Sequence, residues 1–164
     1  MSTSHETRWL DAQEQQTWEQ LSTMVLRLQP VLSARLQREF GISQFEYLML
    51  ARLSEAPGST LRMSVLATLC GSSLPRLSQA VGRLEKRGWM SRRPDTEDSR
   101  YTVAVLTRAG LRELQEVAPS HVDDVREFVF DRLTRAQVRQ LGAICQRIVD
   151  GLPADDSWPS ATPS

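Results

Sequence analysis

Four polar side chains fall in a row that could grip a structured polyanion. Arg76, Gln79, Arg83 and Lys86 follow one another by three, four and three residues. On a helix that spacing lines up two guanidiniums, an amide and an ammonium along one edge. Leu77, Val81 and Leu84 take the complementary positions i, i+4 and i+7 and should face a core. Donors of these types read the edges of guanine and adenine or hold phosphates in a major groove. Ser72, Ser73 and Ser78 add short hydroxyls near the amino end, where unpaired amides favour an anion. Without further context the same row would be an ordinary solvated helix face.

A second group lies just downstream. Arg92, Arg93 and Arg100 flank the polar stretch Pro94-Asp-Thr-Glu-Asp-Ser99, with Asp98 two residues from Arg100. A carboxylate can fix a guanidinium through a bidentate pair. An arginine held in that way suits a narrow, electronegative minor groove. Without a partner molecule the pair is only a hairpin salt bridge.

These groups sit in a concealed charge imbalance. The 164 residues carry 20 Lys+Arg and 20 Asp+Glu, a formal net charge of zero. Residues 62–108 nevertheless hold nine bases against four acids, while both flanks are acidic. All but one of those bases are arginines, which suit phosphate and base-edge recognition. At 40% hydrophobic and 24% charged, the composition is that of an ordinary globular domain. No apolar run reaches the roughly 18 residues of a membrane span, and MSTSHETRWLDAQEQQ lacks a basic start followed by an apolar stretch, so a signal peptide is not expected. Cys70 and Cys145 lack metal-ligand spacing, so neither a disulfide framework nor a metal site is expected, and the cytoplasm is the expected location. Both thiols are expected to be buried packing groups.

The surrounding elements must position this chemistry. Trp18, Leu21, Val25, Leu28, Leu32 and Leu36 mark a helix from about Trp9 to Phe40, kinked or split at Pro30 and stopped at Gly41. Ser43 and Glu46 form a capping box for a second helix. A short strand is expected at Thr60–Met63. A third helix starts at Ser64, with Val65, Leu66 and Leu69 on its apolar face, and ends at Gly71. Pro75 fits the first turn of the fourth helix, whose C′ residue is Gly88. A hairpin follows, with strands Trp89–Arg93 and Arg100–Leu106, the second placing Tyr101, Val103 and Val105 on one face. Thr107 caps a fifth helix running to Arg132, kinked or broken near Pro119. Thr134 and Gln137 box a sixth, striped by Val138, Leu141, Ile144, Cys145 and Ile148.

With those elements in order, residues 61–110 resemble the winged helix-turn-helix of the MarR family of bacterial transcriptional regulators. Carrying the resemblance are Leu84-Glu85, Gly88, Arg92, Asp98-x-Arg100, Leu106-Thr107 and Gly110. The order of the flanking helices extends it over about residues 9–152. It implies a mainly α fold with a small β-hairpin wing. The winged helix-turn-helix would span about 43–106, between dimerisation helices at about 9–40 and 107–152, with disordered ends at 1–8 and 153–164. It implies a homodimer whose fourth helices enter successive major grooves of double-stranded DNA while the wings reach flanking minor grooves. Ser73, Pro75, Arg76, Gln79 and Arg83 would then face bases or nearby phosphates. Arg100 would be the wing-tip arginine, oriented by Asp98 with Arg92 as a second holder. Trp89 departs from the family, which usually has a smaller aliphatic there.

The resemblance also implies a repressor released by a small-molecule effector, bound between the dimer helices and the winged domain. Trp18, Arg27, Tyr47 and His121 are of suitable type, and none is assigned. Independently of it, the apolar stripes at both chain ends exceed what a winged helix of ~50 residues can bury, so a two-fold dimer is expected. Its half-sites would lie about 34 Å apart. Two other readings remain: a protein–protein module that kept the fold without binding DNA, and a cysteine-based redox sensor. Catalysis has no support, since the two histidines, His5 and His121, lie in no HExxH, and GxSxG and phosphate-cradling loops are missing. Asp123-Asp124 diverge on a helix and are expected to be solvated. No cofactor is expected.

Overall fold

The computed structural model describes residues 7–152. Helix α1 (Ala12–Phe40) begins at Asp11, whose carboxylate accepts from the Gln13 and Glu14 amides while Glu14 returns a bond to the Asp11 amide. Both partners of this capping box lie within one turn, and it starts the helix at Ala12 rather than at about Trp9. Then come α2 (Gln44–Glu55), β1 (Thr60–Arg62), α3 (Met63–Leu69), α4 (Leu74–Lys86), β2 (Met90–Pro94), β3 (Thr102–Leu106), α5 (Arg108–Phe128) and α6 (Arg135–Asp150). The strands form one antiparallel sheet in the order β1-β3-β2. The architecture is mainly helical with a small wing, as the pattern implies. The expected disorder at the ends falls on residues outside those described, apart from Thr7 and Arg8.

Neither proline breaks its helix. Pro30 lies within α1 and Pro119 within α5. Each removes the bond to the carbonyl four residues earlier, on Leu26 and Gln115. Both of those residues are exposed, so water can take the freed carbonyl. The fifth helix instead ends at Phe128, where Val129 leaves helical geometry (φ −122°, ψ −69°) ahead of a short 3-10 turn, Phe130–Arg132.

The core gathers where α1, α2, α4 and α5 meet the sheet. Leu36, Ile42, Met49, Leu50, Leu53, Leu66, Leu77, Val81, Leu84 and Val117 are fully enclosed. Each such side chain contributes about 1.5–3 kcal/mol through burial. In α3 the inward residues are Met63, Leu66 and Ala67, at i, i+3 and i+4, which leaves Val65 and Leu69 on the partly exposed side. Tyr101 lies outside β3, half exposed, with the Arg62 guanidinium 4.6 Å from its ring centroid. Gly110 fixes how α5 leaves the wing: a Cβ there would sit 2.1 Å from the Trp89 carbonyl oxygen. Only glycine permits that approach.

Asp124 reverses its expected role. It is fully buried and pairs with Arg35 of α1, an acid–base partnership across 89 residues of sequence. Arg35 also donates to Glu39 at 3.0 Å, and Ser120 donates to Glu39 at 3.1 Å. The network bolts α1 to α5. One turn away His121 packs on Tyr47 of α2, ring centroids 4.3 Å apart, and burial lowers its pKa. Helix α6 is the opposite case. None of its residues is buried, and Ile144 and Ile148 are about half exposed. Cys145 on the same helix is exposed, contrary to expectation, while Cys70 is buried.

Candidate nucleic-acid interface

Helix α4 presents the row as its spacing requires. The left-handed Gly71 (φ 56°) turns the chain from α3 into α4, and Leu77, Ala80, Val81 and Leu84 anchor the helix inward. That leaves Ser73, Pro75, Arg76, Gln79, Arg83 and Lys86 outward. Ser73 holds the N-cap position without a side-chain capping bond, so its hydroxyl stays available beside the first-turn amides. Arg76 stacks over the Phe45 ring at 4.8 Å, which restrains its stem while the head remains free for bonding. Arg83 donates from Nε to Glu46 at 2.8 Å and keeps 57% of its side chain exposed.

Glu46 thereby does two jobs. Its carboxylate closes the α2 capping box on Ser43 and also holds Arg83. Burial alone would raise its pKa; bonds from the Ser43 amide, Arg83 and the Ser43 hydroxyl outweigh burial and leave it below the ordinary carboxylate value.

The wing supplies the second contact surface. Arg100 donates to both oxygens of Asp98, from Nε at 2.9 and 3.1 Å and from Nη2 at 2.6 Å, and its amide donates to the same carboxylate. These bonds keep the Asp98 carboxyl below its usual range. Arg100 remains 82% exposed, a charged head on a fixed mount. Arg93 is exposed on β2. At the other edge, Arg62 of β1 donates to Asp95 at 2.6 Å and so pins the turn that carries Asp98. Arg76, Lys86 and Arg93 form no salt bridge among the described residues.

Three expected site residues are placed otherwise. Ser72 is buried, its hydroxyl turned to the Ser73 carbonyl at 3.3 Å, because the tight turn folds it under the helix start. Arg92 does not join Asp98. It lies on α4, paired with Glu85 at 2.7 Å and donating to Ser78 at 3.1 Å, which also occupies the Ser78 hydroxyl. Glu46, Arg62 and Glu85 were not placed at the candidate site by the sequence, and each is joined to it by a tertiary contact; Glu46 was legible only as a capping residue and Glu85 only as part of the Leu84-Glu85 motif.

An open cleft of about 830 Å3 separates α1 from α2 and α4. Gln29, Ser43, Phe45, Arg76, Gln79 and Arg83 are among the residues that line it. Cys70 also borders it, but burial pushes its thiol up to about 11, away from the thiolate that oxidation chemistry needs. Among the described residues no cluster of His, Cys, Asp and Glu could hold a metal ion, and no helix is long and apolar enough to cross a membrane.

The sequence model of the MarR family matches residues 40–100. A MarR family transcriptional regulator of Streptomyces coelicolor, solved in complex with DNA, is 41% identical, with a TM-score of 0.89 over 94% of this chain and 99% of that one. AbsC, a MarR family transcriptional regulator of the same organism, is 35% identical with a TM-score of 0.85, over 91% of this chain and 100% of its own. The transcriptional repressor MprA of Escherichia coli is 28% identical over 112 residues, or 68% of this chain. The match spans 63% of the length of that curated relative. These relatives are transcription regulators, not enzymes.

Proposed function

Because the chain belongs to the MarR family of transcriptional regulators, we propose that it binds double-stranded DNA sequence-specifically, as a homodimer on a pseudo-palindromic operator, and acts as a repressor. The observation that carries this reading is the juxtaposition of two cationic features. The outward edge of α4 bears Arg76, Gln79, Arg83 and Lys86, and beside it Arg100 stands fixed by Asp98. The α4 edge has the width and chemistry of a major-groove reader, and the wing arginine those of a minor-groove contact. Dimerisation is supported by α6, whose apolar stripe finds no cover among the described residues, and by the exposure of Trp18, Met24 and Val25 on α1. A protein of this kind works in the cytoplasm, where its DNA is.

Release by a small-molecule effector has its support in the cleft bordered by the outward edge of α4. A ligand held there would touch Arg76, Gln79 and Arg83 directly, so occupancy and DNA reading would compete for the same side chains. Selection of bound fragments from random duplex DNA tests the function. The expected winner is a two-fold symmetric site with half-sites about 34 Å apart, bound with an affinity that falls steeply with salt. Salt-insensitive retention of unrelated sequences would overturn the reading.

A further inference from the structure

Arg92 spans two turns of α4. Its Nε and Nη2 donate to Glu85 Oε2 at 3.1 and 2.7 Å, its backbone amide donates to Glu85 Oε1 at 2.9 Å, and its Nη1 reaches the Ser78 hydroxyl at 3.1 Å. Ser78, Gly82 and Glu85 lie at i, i+4 and i+7, one face of the helix. A Cβ at Gly82 would come within 4.0 Å of Nη2, so the bare glycine lies directly beneath the guanidinium. The same residue is anchored in the wing, where Arg92 of β2 pairs with Ala104 of β3.

We propose that Glu85 and Arg92 are positioning residues, a strut that sets the distance and angle between the recognition helix and the wing so that both grooves can be engaged together. The reasoning rests on the DNA-binding reading above and turns on sign. A carboxylate beside a DNA-facing edge repels phosphate, so by charge alone its removal should tighten binding. A strut has the contrary effect: its loss leaves the wing free to miss the minor groove, and binding weakens although a negative charge has gone. Arg92 likewise acts through the wing, since three of its five guanidinium N–H groups are bonded to Glu85 and Ser78 and hold the head against α4. As a surface ion pair it adds little to stability. What it adds is a fixed relation between two reading heads, the condition under which two contacts act as one.

The test measures binding to the selected operator by wild type, Glu85→Gln and Arg92→Lys, each with and without Arg100→Ala. Glu85→Gln should weaken binding about tenfold, the size of one lost contact. In that background Arg100→Ala should cost little more, because the wing is already misplaced. Arg92→Lys keeps the charge but loses the fork, and should follow Glu85→Gln. Tighter or unchanged binding by Glu85→Gln, an unaltered Arg100 penalty, or full retention of affinity by Arg92→Lys would each overturn the strut. Amide exchange in the free protein supplies a readout without DNA. Glu85→Gln should speed exchange at Arg92 and along the wing while α2 and α5 keep their protection, and unchanged wing exchange would also overturn the proposal. If wild type selects no DNA at all, the functional reading fails while the exchange experiment still decides the strut.

Discussion

At Arg76 and Gln79 the side chains reach outward from α4, and among the described residues Arg76 forms no salt bridge. Replacing either with alanine should relax the preference at one base pair and cost about 1–3 kcal/mol if the contact is bidentate. Competition among operator variants checks this, since a phosphate contact would instead weaken all sequences alike. Arg100→Ala should lower affinity and flatten the salt dependence while leaving the major-groove preference intact. Asp98→Asn should act in the same direction more weakly, because the guanidinium keeps its charge and loses only its mount. The Asp98–Arg100 pair was legible in the sequence because its members are two residues apart. The Arg92–Glu85 pair was not legible because a sequence shows a charge without showing its partner seven residues away on another element. Ser72 was misplaced for a similar reason: its type suits a cap, but the turn at Gly71 folds it inward.

Elements tell the same story in longer spans. The capping boxes at Ser43 and Thr134 were readable because both partners lie within one turn. The Arg35–Asp124 pair was invisible because 89 residues separate its ends. Asp124→Ala should cost about 1–3 kcal/mol by leaving a bonded, buried position unmade, whereas Asp123→Ala should fall within about 0.5 kcal/mol, as chemical denaturation would show. Gly110→Ala should be harsher, about 3 kcal/mol, because the added carbon meets the Trp89 carbonyl, a backbone atom that cannot swing aside. His121 gives this junction a pH dependence. Burial holds it below its ordinary value of 6.5, against the opposing pull of Asp124. Folding with a lowered basic pKa favours the neutral form, so its contribution is complete above about pH 6.5 and declines as protons arrive below it. Melting temperatures between pH 7.5 and 5.5 should show that loss, and His121→Phe should flatten this part of the curve.

For the molecule as a whole, the stripe of α6 was readable as amphipathic, but its placement was not. Periodicity says that a face will be covered without saying by which chain. Ile144→Glu or Ile148→Glu should convert the protein to monomers in sedimentation and weaken operator binding, with the winged domain's fold retained. A largely dimeric Ile148→Glu variant would show that the cover comes from elsewhere.

The bareness of α6 also bears on how such a switch would respond to its own abundance. When chains are scarce enough to separate, occupied operators grow with the square of their number. Halving the supply then empties more than half of the occupied operators, and a modest change in synthesis or proteolysis acts as a threshold instead of a proportional dial.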